Sequence, residues 1–317
     1  MTVVRSSRRP VLARTLGPLA SSHPYPAVAA GAVAVSATAI FVDLAGCQPG
    51  TASFYRCVLA LPFLLPLAWS ERRGTQGRSG TQRLGRRELL AAVLAGVLLA
   101  ADMLLWTQAI YDVGAGISTV IVNVQVILVP LIALAIDREP ITRLFLATLP
   151  VMVLGVLLAG GVLDHRVGGT HTVRGTVEAV LAALCYSGFL FLLRRSGRST
   201  RMLQSYVVMI AATAAASCAG GALWHGFTFA PPLAALGWLA LSAICGQVVG
   251  WLLIARAARK LTSESVSVLL LLTPIGSLVL GALVLGQRPT AKQLAGSLVI
   301  LCCAAVIATM GRRGEPG

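Results

Sequence analysis

The 317 residues are 56% hydrophobic and 12% charged, with a mean hydropathy of +0.82; this charge content is about half of what soluble domains carry. A water-soluble domain is excluded, and the composition predicts an all-α integral membrane protein. The net charge of +15 does not indicate nucleic acid, because the basic residues occupy short segments between apolar runs rather than one face.

Taken in chain order, residues 1–26 form a basic segment carrying Arg5, Arg8, Arg9 and Arg14. The charge order is that of a signal peptide, but the apolar run that follows is too long and further runs succeed it, so the segment is expected to be retained. Ten apolar stretches have the length of transmembrane helices: 27–46, 51–69, 89–111, 115–136, 142–163, 174–193, 203–224, 233–255, 262–285 and 290–310. Short charged or Gly/Pro-rich turns separate these spans, numbered 1 to 10, and residues 311–317 form a tail.

Lys and Arg set the orientation. With the N-terminus cytoplasmic, the connections on that side hold 21 of the 26 basic residues, the opposite side holds 4, and Arg56 lies within span 2. Both termini are therefore expected in the cytoplasm, in a multi-pass protein of the plasma membrane.

Residues 115–140 have an echo at 264–289. A constant shift of 149 carries Ser118 onto Ser267, Ala133 onto Ala282, Leu134 onto Leu283 and Pro140 onto Pro289. The shift moves span 4 onto span 9 and span 5 onto span 10, a displacement of five spans. Five is odd, so the halves are expected to cross the membrane in opposite directions, as two inverted-topology five-helix repeats at 27–163 and 174–310.

Two stretches carry a resemblance to a known family. Ser53-Phe54-Tyr55-Arg56-Cys57 opens span 2 as an "FyR" segment, and Trp106 to Glu139-Pro140 ends in a "gE"-type turn. In these, and across about residues 27–310, the chain resembles the EamA-domain transporters of the drug/metabolite transporter superfamily. In the second half Gln287-Arg288 stands where the family usually has Gly-Glu. The resemblance implies ten helices around a central cavity, alternating access, and usually export of small metabolites.

Charged groups at membrane depth cost about 2.5–3.5 kcal/mol on insertion scales, so polar residues there face a cavity or a partner. At mid-span stand Asp102 and Gln108 (span 3), Asn123 and Gln125 (span 4), Tyr186 (span 6), Gln247 (span 8) and Thr273 (span 9). Asp102 and Trp106 are four apart, and so are Gln247 and Trp251 on the span at the equivalent repeat position. A polar group followed by Trp one turn later, in both halves, suits a substrate cavity at the repeat interface; plain helix packing accounts for the same pattern. Asp102, the acid nearest a span centre, is the proton-coupling candidate. Asn123 and Gln125 are two apart and do not share one face, so one of them is expected at the cavity. Pro130 and Pro274 lie inside spans, where Pro frees a carbonyl and kinks or gates a helix. Arg56 has three readings: a pair with Asp43, a contact to an anionic substrate group, or snorkelling to the outer interface.

The four histidines lie in loops or at span ends without metal-ligand spacing, no GxSxG or phosphate-cradling motif occurs, and the seven cysteines contain no CxxC. No catalytic residue, metal or cofactor is expected. The expected partners are a small-molecule substrate and the bilayer. A homodimer stays open, since small-residue faces such as Gly155 with Ala159 serve contacts within and between chains alike.

Overall fold

A computed structural model describes residues 23–75, 84–138, 143–163, 170–196, 202–257, 260–261, 266 and 269–310. The basic N-terminal segment, the Glu139-Pro140 turn and the tail at 311–317 lie outside the described residues.

Among the described residues the fold is all-helical. The helices are α1 (Pro24–Ala45), α2 (Pro49–Thr75), α3 (Arg86–Val113), α4 (Ala115–Val122), α5 (Gln125–Asp137), α6 (Arg143–Ala159), α7 (Thr170–Ser196), α8 (Met202–Leu223), α9 (Leu233–Ser242), a π-helical stretch (Ala243–Gly250), α10 (Trp251–Ala257), α11 (Leu272–Val284) and α12 (Ala291–Met310). Seven segments are long and apolar enough to cross a membrane, and they fall on spans 1–4 and 6–8. Spans 5, 9 and 10 appear as the shorter apolar helices Phe145–Ala159, Leu272–Val284 and Ala291–Ile307.

Local chemistry sets the boundaries. Gly46 takes φ 57° and its N–H bonds to the Asp43 carbonyl, a left-handed cap that ends α1. Pro49 then opens α2, where its missing N–H costs nothing. Gly114, at φ 92°, turns the chain between α3 and α4. Span 4 is broken in the middle. Asn123 and Val124 form a turn, with the Asn123 and Val124 N–H groups bonding back to Val120 and Ile121 at 3.0 Å each, three residues back as in a 3₁₀ turn. Pro130 lies inside the continuous helix α5, so the interruption falls six residues before it. In the second half, Leu271 turns just ahead of α11, and Pro274 lies in the first turn of that helix. The shift of 149 carries Asn123–Val124 onto Leu272–Thr273, so the two interruptions fall one residue apart in register.

The packing has a regular plan. α3 lies along α7 and α8, and α1 lies along α9, the π stretch, α10 and α11. α2 packs on α8, α4 on α11 and α7, α5 on α7, and α6 on α12. One end of the bundle gathers the α1–α2 turn, the α3–α4 turn, the start of α7, the chain after α8 and residues 286–290. There the Tyr111 hydroxyl donates to the Cys47 carbonyl (2.7 Å), the Thr228 N–H to Thr51 Oγ1 (2.8 Å), and the Gly116 N–H to Gln287 Oε1 (3.4 Å). At the other end, Glu71 accepts the Leu203 and Gln204 N–H groups at 3.1–3.3 Å, capping α8 from the end of α2.

Candidate functional site

The centre of the bundle holds a charged and aromatic cluster drawn from four helices. Asp102 on α3 is 7% exposed, and Gln247 in the π stretch is 8% exposed. A π turn re-aims side chains within a helix, and such turns concentrate at functional sites. Gln247 Oε1 is buried without a hydrogen-bond partner among the described residues.

Arg56 on α2 departs from two of its three readings. It is 5% exposed, which excludes snorkelling, and no ion pair with Asp43 appears among the described residues. Its guanidinium lies over the Trp106 ring, 5.3 Å from the centroid, a cation–π contact. Asp102 is within its electrostatic reach but forms no ion pair with it within 4.0 Å. Arg56 Nε and Nη1 are both buried without a hydrogen-bond partner.

Tyr206 on α8, which the sequence reading passed over, joins Gln247 to Trp251. Its ring stacks on Trp251, centroids 3.8 Å apart and planes within 4°. Its hydroxyl donates to the Gln247 backbone carbonyl at 3.2 Å. Arg56, over Trp106, and Tyr206, against Gln247 and Trp251, are carried on the packed helices α2 and α8. Only the solitary Tyr in the apolar run of span 7 could have signalled the link. Tyr186 stacks on Phe189, with centroids 5.6 Å apart, and lies within electrostatic reach of Asp102.

Other predicted residues sit elsewhere. Asn123 donates its side-chain amide to the Thr119 carbonyl at 3.0 Å, and Gln125 Oε1 is buried without a partner. The Thr273 hydroxyl donates to the Ala32 carbonyl (3.3 Å), and that of Ser277 to the Ser36 carbonyl (3.0 Å), together sewing α11 to α1. Gly155 and Gly296 bring α6 and α12 close: a Cβ on Gly296 would meet the Gly155 oxygen at 2.6 Å.

A second polar cluster lies at the end of the bundle that holds the α3–α4 turn. Arg174 Nε stands 3.1 Å from Asp112 Oδ2 and 3.2 Å from Glu178 Oε1. The angle makes the Glu178 contact the hydrogen bond; the Asp112 contact is charge against charge. Gln108 Nε2 donates to Asp112 Oδ1 at 3.3 Å, and the exposed His171 ring is 4.0 Å from the same oxygen. A cavity of about 220 Å³ opens beside Asp112, lined also by Gly114, Thr172, Gln287, Arg288 and Gln293. Neither Asp102 nor Gln247 lines it. Gln287 and Arg288, where the second half departs from the family pattern, therefore line this cavity together with Asp112. Among the described residues no three His, Cys, Asp or Glu side chains gather as metal ligands.

Comparison with known proteins agrees with a membrane carrier. The sequence model of the EamA-like transporter family matches twice, at residues 25–161 and 173–309. The uncharacterized transporter YxxF of Bacillus subtilis (strain 168) is 24% identical over 262 residues, spanning 82% of this chain and 80% of its own. A protein solved by crystallography superposes with a TM-score of 0.55 at 18% identity, over 94% of this chain and 99% of that one, a likeness of fold alone.

Proposed function

The chain belongs to the EamA-like transporter family, and from that premise we propose that it is a secondary transporter exporting small metabolites by alternating access. The moving units are two inverted repeats, residues 27–163 and 174–310, of five membrane crossings each. Both termini are cytoplasmic, in the plasma membrane. The substrate is handled between Asp102/Trp106 and Gln247/Trp251, with Tyr186, Gln125, Asn123 and Thr273 on neighbouring helices, Pro130 and Pro274 serving the bending of their spans, and Asp102 carrying the coupling proton.

The observation that carries this reading is the packing plan. Exchange each span for the one five places away. The contact of α3 with α7 becomes that of α9–α10 with α1, and α1 with α11 becomes α7 with α4–α5. The contact of α3 with α8 becomes that of the π stretch with α2, while α2–α8, α4–α11 and α6–α12 map onto themselves. These main contacts survive the exchange, which supports two repeats able to trade places between a state open to each side. The matched interruptions at Asn123–Val124 and Leu271 support the same reading, since discontinuous helices line transporter sites.

The test is labelling of single cysteines placed at 102, 106, 247 and 251 in a background without the native thiols. Reagents added from either face are expected to reach these positions. Uniform inaccessibility from both sides, together with unchanged metabolite efflux in cells lacking the protein, sinks the transporter reading and leaves a scaffold or a membrane enzyme. For the coupling role, Asp102→Asn is expected to transport without dependence on a pH gradient; retained dependence removes Asp102 from that role.

A further inference from the structure

The Arg56 guanidinium is a full positive charge, 5% exposed, with two unpaired donors. Burying an uncompensated charge is expensive, and proteins ordinarily close an ion pair around it. This chain does so elsewhere, where Arg174 reaches both Asp112 and Glu178. At Arg56 the acid is present too, since Asp102 acts on it electrostatically, but the pair does not close to 4.0 Å. The guanidinium carbon lies over the Trp106 ring at 5.3 Å, and the donors Nε and Nη1 carry no hydrogen bond. A planar guanidinium with two adjacent free donors is suited to a planar oxyanion.

Resting on the transporter reading above, we propose that Arg56 is the anion-recognition residue of the substrate site and that the transported class is small organic carboxylates. The carboxylate takes the Nε and Nη1 donors, and the rest of the substrate lies along Trp106. Nε and Nη1 are sealed from solvent in this conformation, so the anion reaches them when the bundle opens.

The experiment uses the full chain, purified in detergent, with two matched pairs of probes: benzoate against benzamide and acetate against acetamide. Each pair holds shape and changes charge. At least one carboxylate is expected to raise the melting midpoint in a concentration-dependent manner, with its amide inert. Arg56→Gln is expected to weaken that response by about tenfold or more, the value of hydrogen bonds to a charged group, with Arg56→Lys intermediate. If Arg56→Gln alone fails to fold, the pair Arg56→Gln with Asp102→Asn leaves no lone buried charge and carries the same test. Equal responses to acid and amide, a carboxylate response that survives loss of Arg56, or no response to either carboxylate overturns the assignment. A benzoate response without any flux in proteoliposomes would instead sink transport and leave the anion site standing; flux of neutral solutes without a carboxylate response would do the reverse.

Discussion

Asp102 and Asp112 lie on one helix, α3, ten residues apart, and meet their cations differently. At Asp112, Arg174 reaches both acids at 3.1–3.2 Å and Gln108 donates as well. At Asp102, Arg56 is near yet unclosed, its guanidinium over the Trp106 ring and two donors idle. The end cluster closes its ion pairs and fastens α3 to α7, although Asp112 Oδ2 and Glu178 Oε2 take no hydrogen bond. The central cluster leaves its charges unclosed and more deeply buried. Under the anion-site proposal, that open pair is the one available to a group from outside.

The comparison can be broken at several points. The largest effect is expected at the centre: Arg56→Gln lowers flux in proteoliposomes, per folded molecule, by at least about tenfold. Flux near wild type would make the two clusters equivalent. Next, Arg174→Met should act the other way. It leaves Asp112 and Glu178 as neighbouring buried acids, and a loss of about 1–2 kcal/mol is expected, reduced from the cost of a fully buried pair because Arg174 is 42% exposed. Denaturation in detergent reads this, with flux per folded molecule retained. Tyr206→Phe keeps the stack on Trp251 and removes the bond to the Gln247 carbonyl, a loss of about 1 kcal/mol. A flux defect out of proportion to that loss would place Tyr206 in the central machinery. The smallest effect is expected for Glu71→Gln, about 0.5 kcal/mol from a weakened cap on α8, read as a lowered midpoint with normal flux.

Continuous apolar runs made seven of the spans legible, since crossing a bilayer leaves an unmistakable run of side chains. The interruption of span 4 was not legible. Asn123 and Val124 carry no Gly or Pro signal, and Pro130 marked a place where the helix continues. The π stretch was hidden because it changes the winding, not the composition. Asp102, Trp106, Gln247 and Trp251 stood out as polar and aromatic residues at helical spacing. Their partners did not, because Arg56 and Tyr206 come from two other helices, and sequence spacing is blind to contacts between helices.

The pair α2 and α8 is joined at both ends. Glu71 caps the start of α8, and at the far end Gly50 and Gly221 approach so closely that a Cβ on Gly50 would fall 2.4 Å from the Gly221 Cα. Thr51 holds the chain just beyond, at Thr228. Two helices held together at both ends form one tightly joined unit, and Arg56 is carried on it.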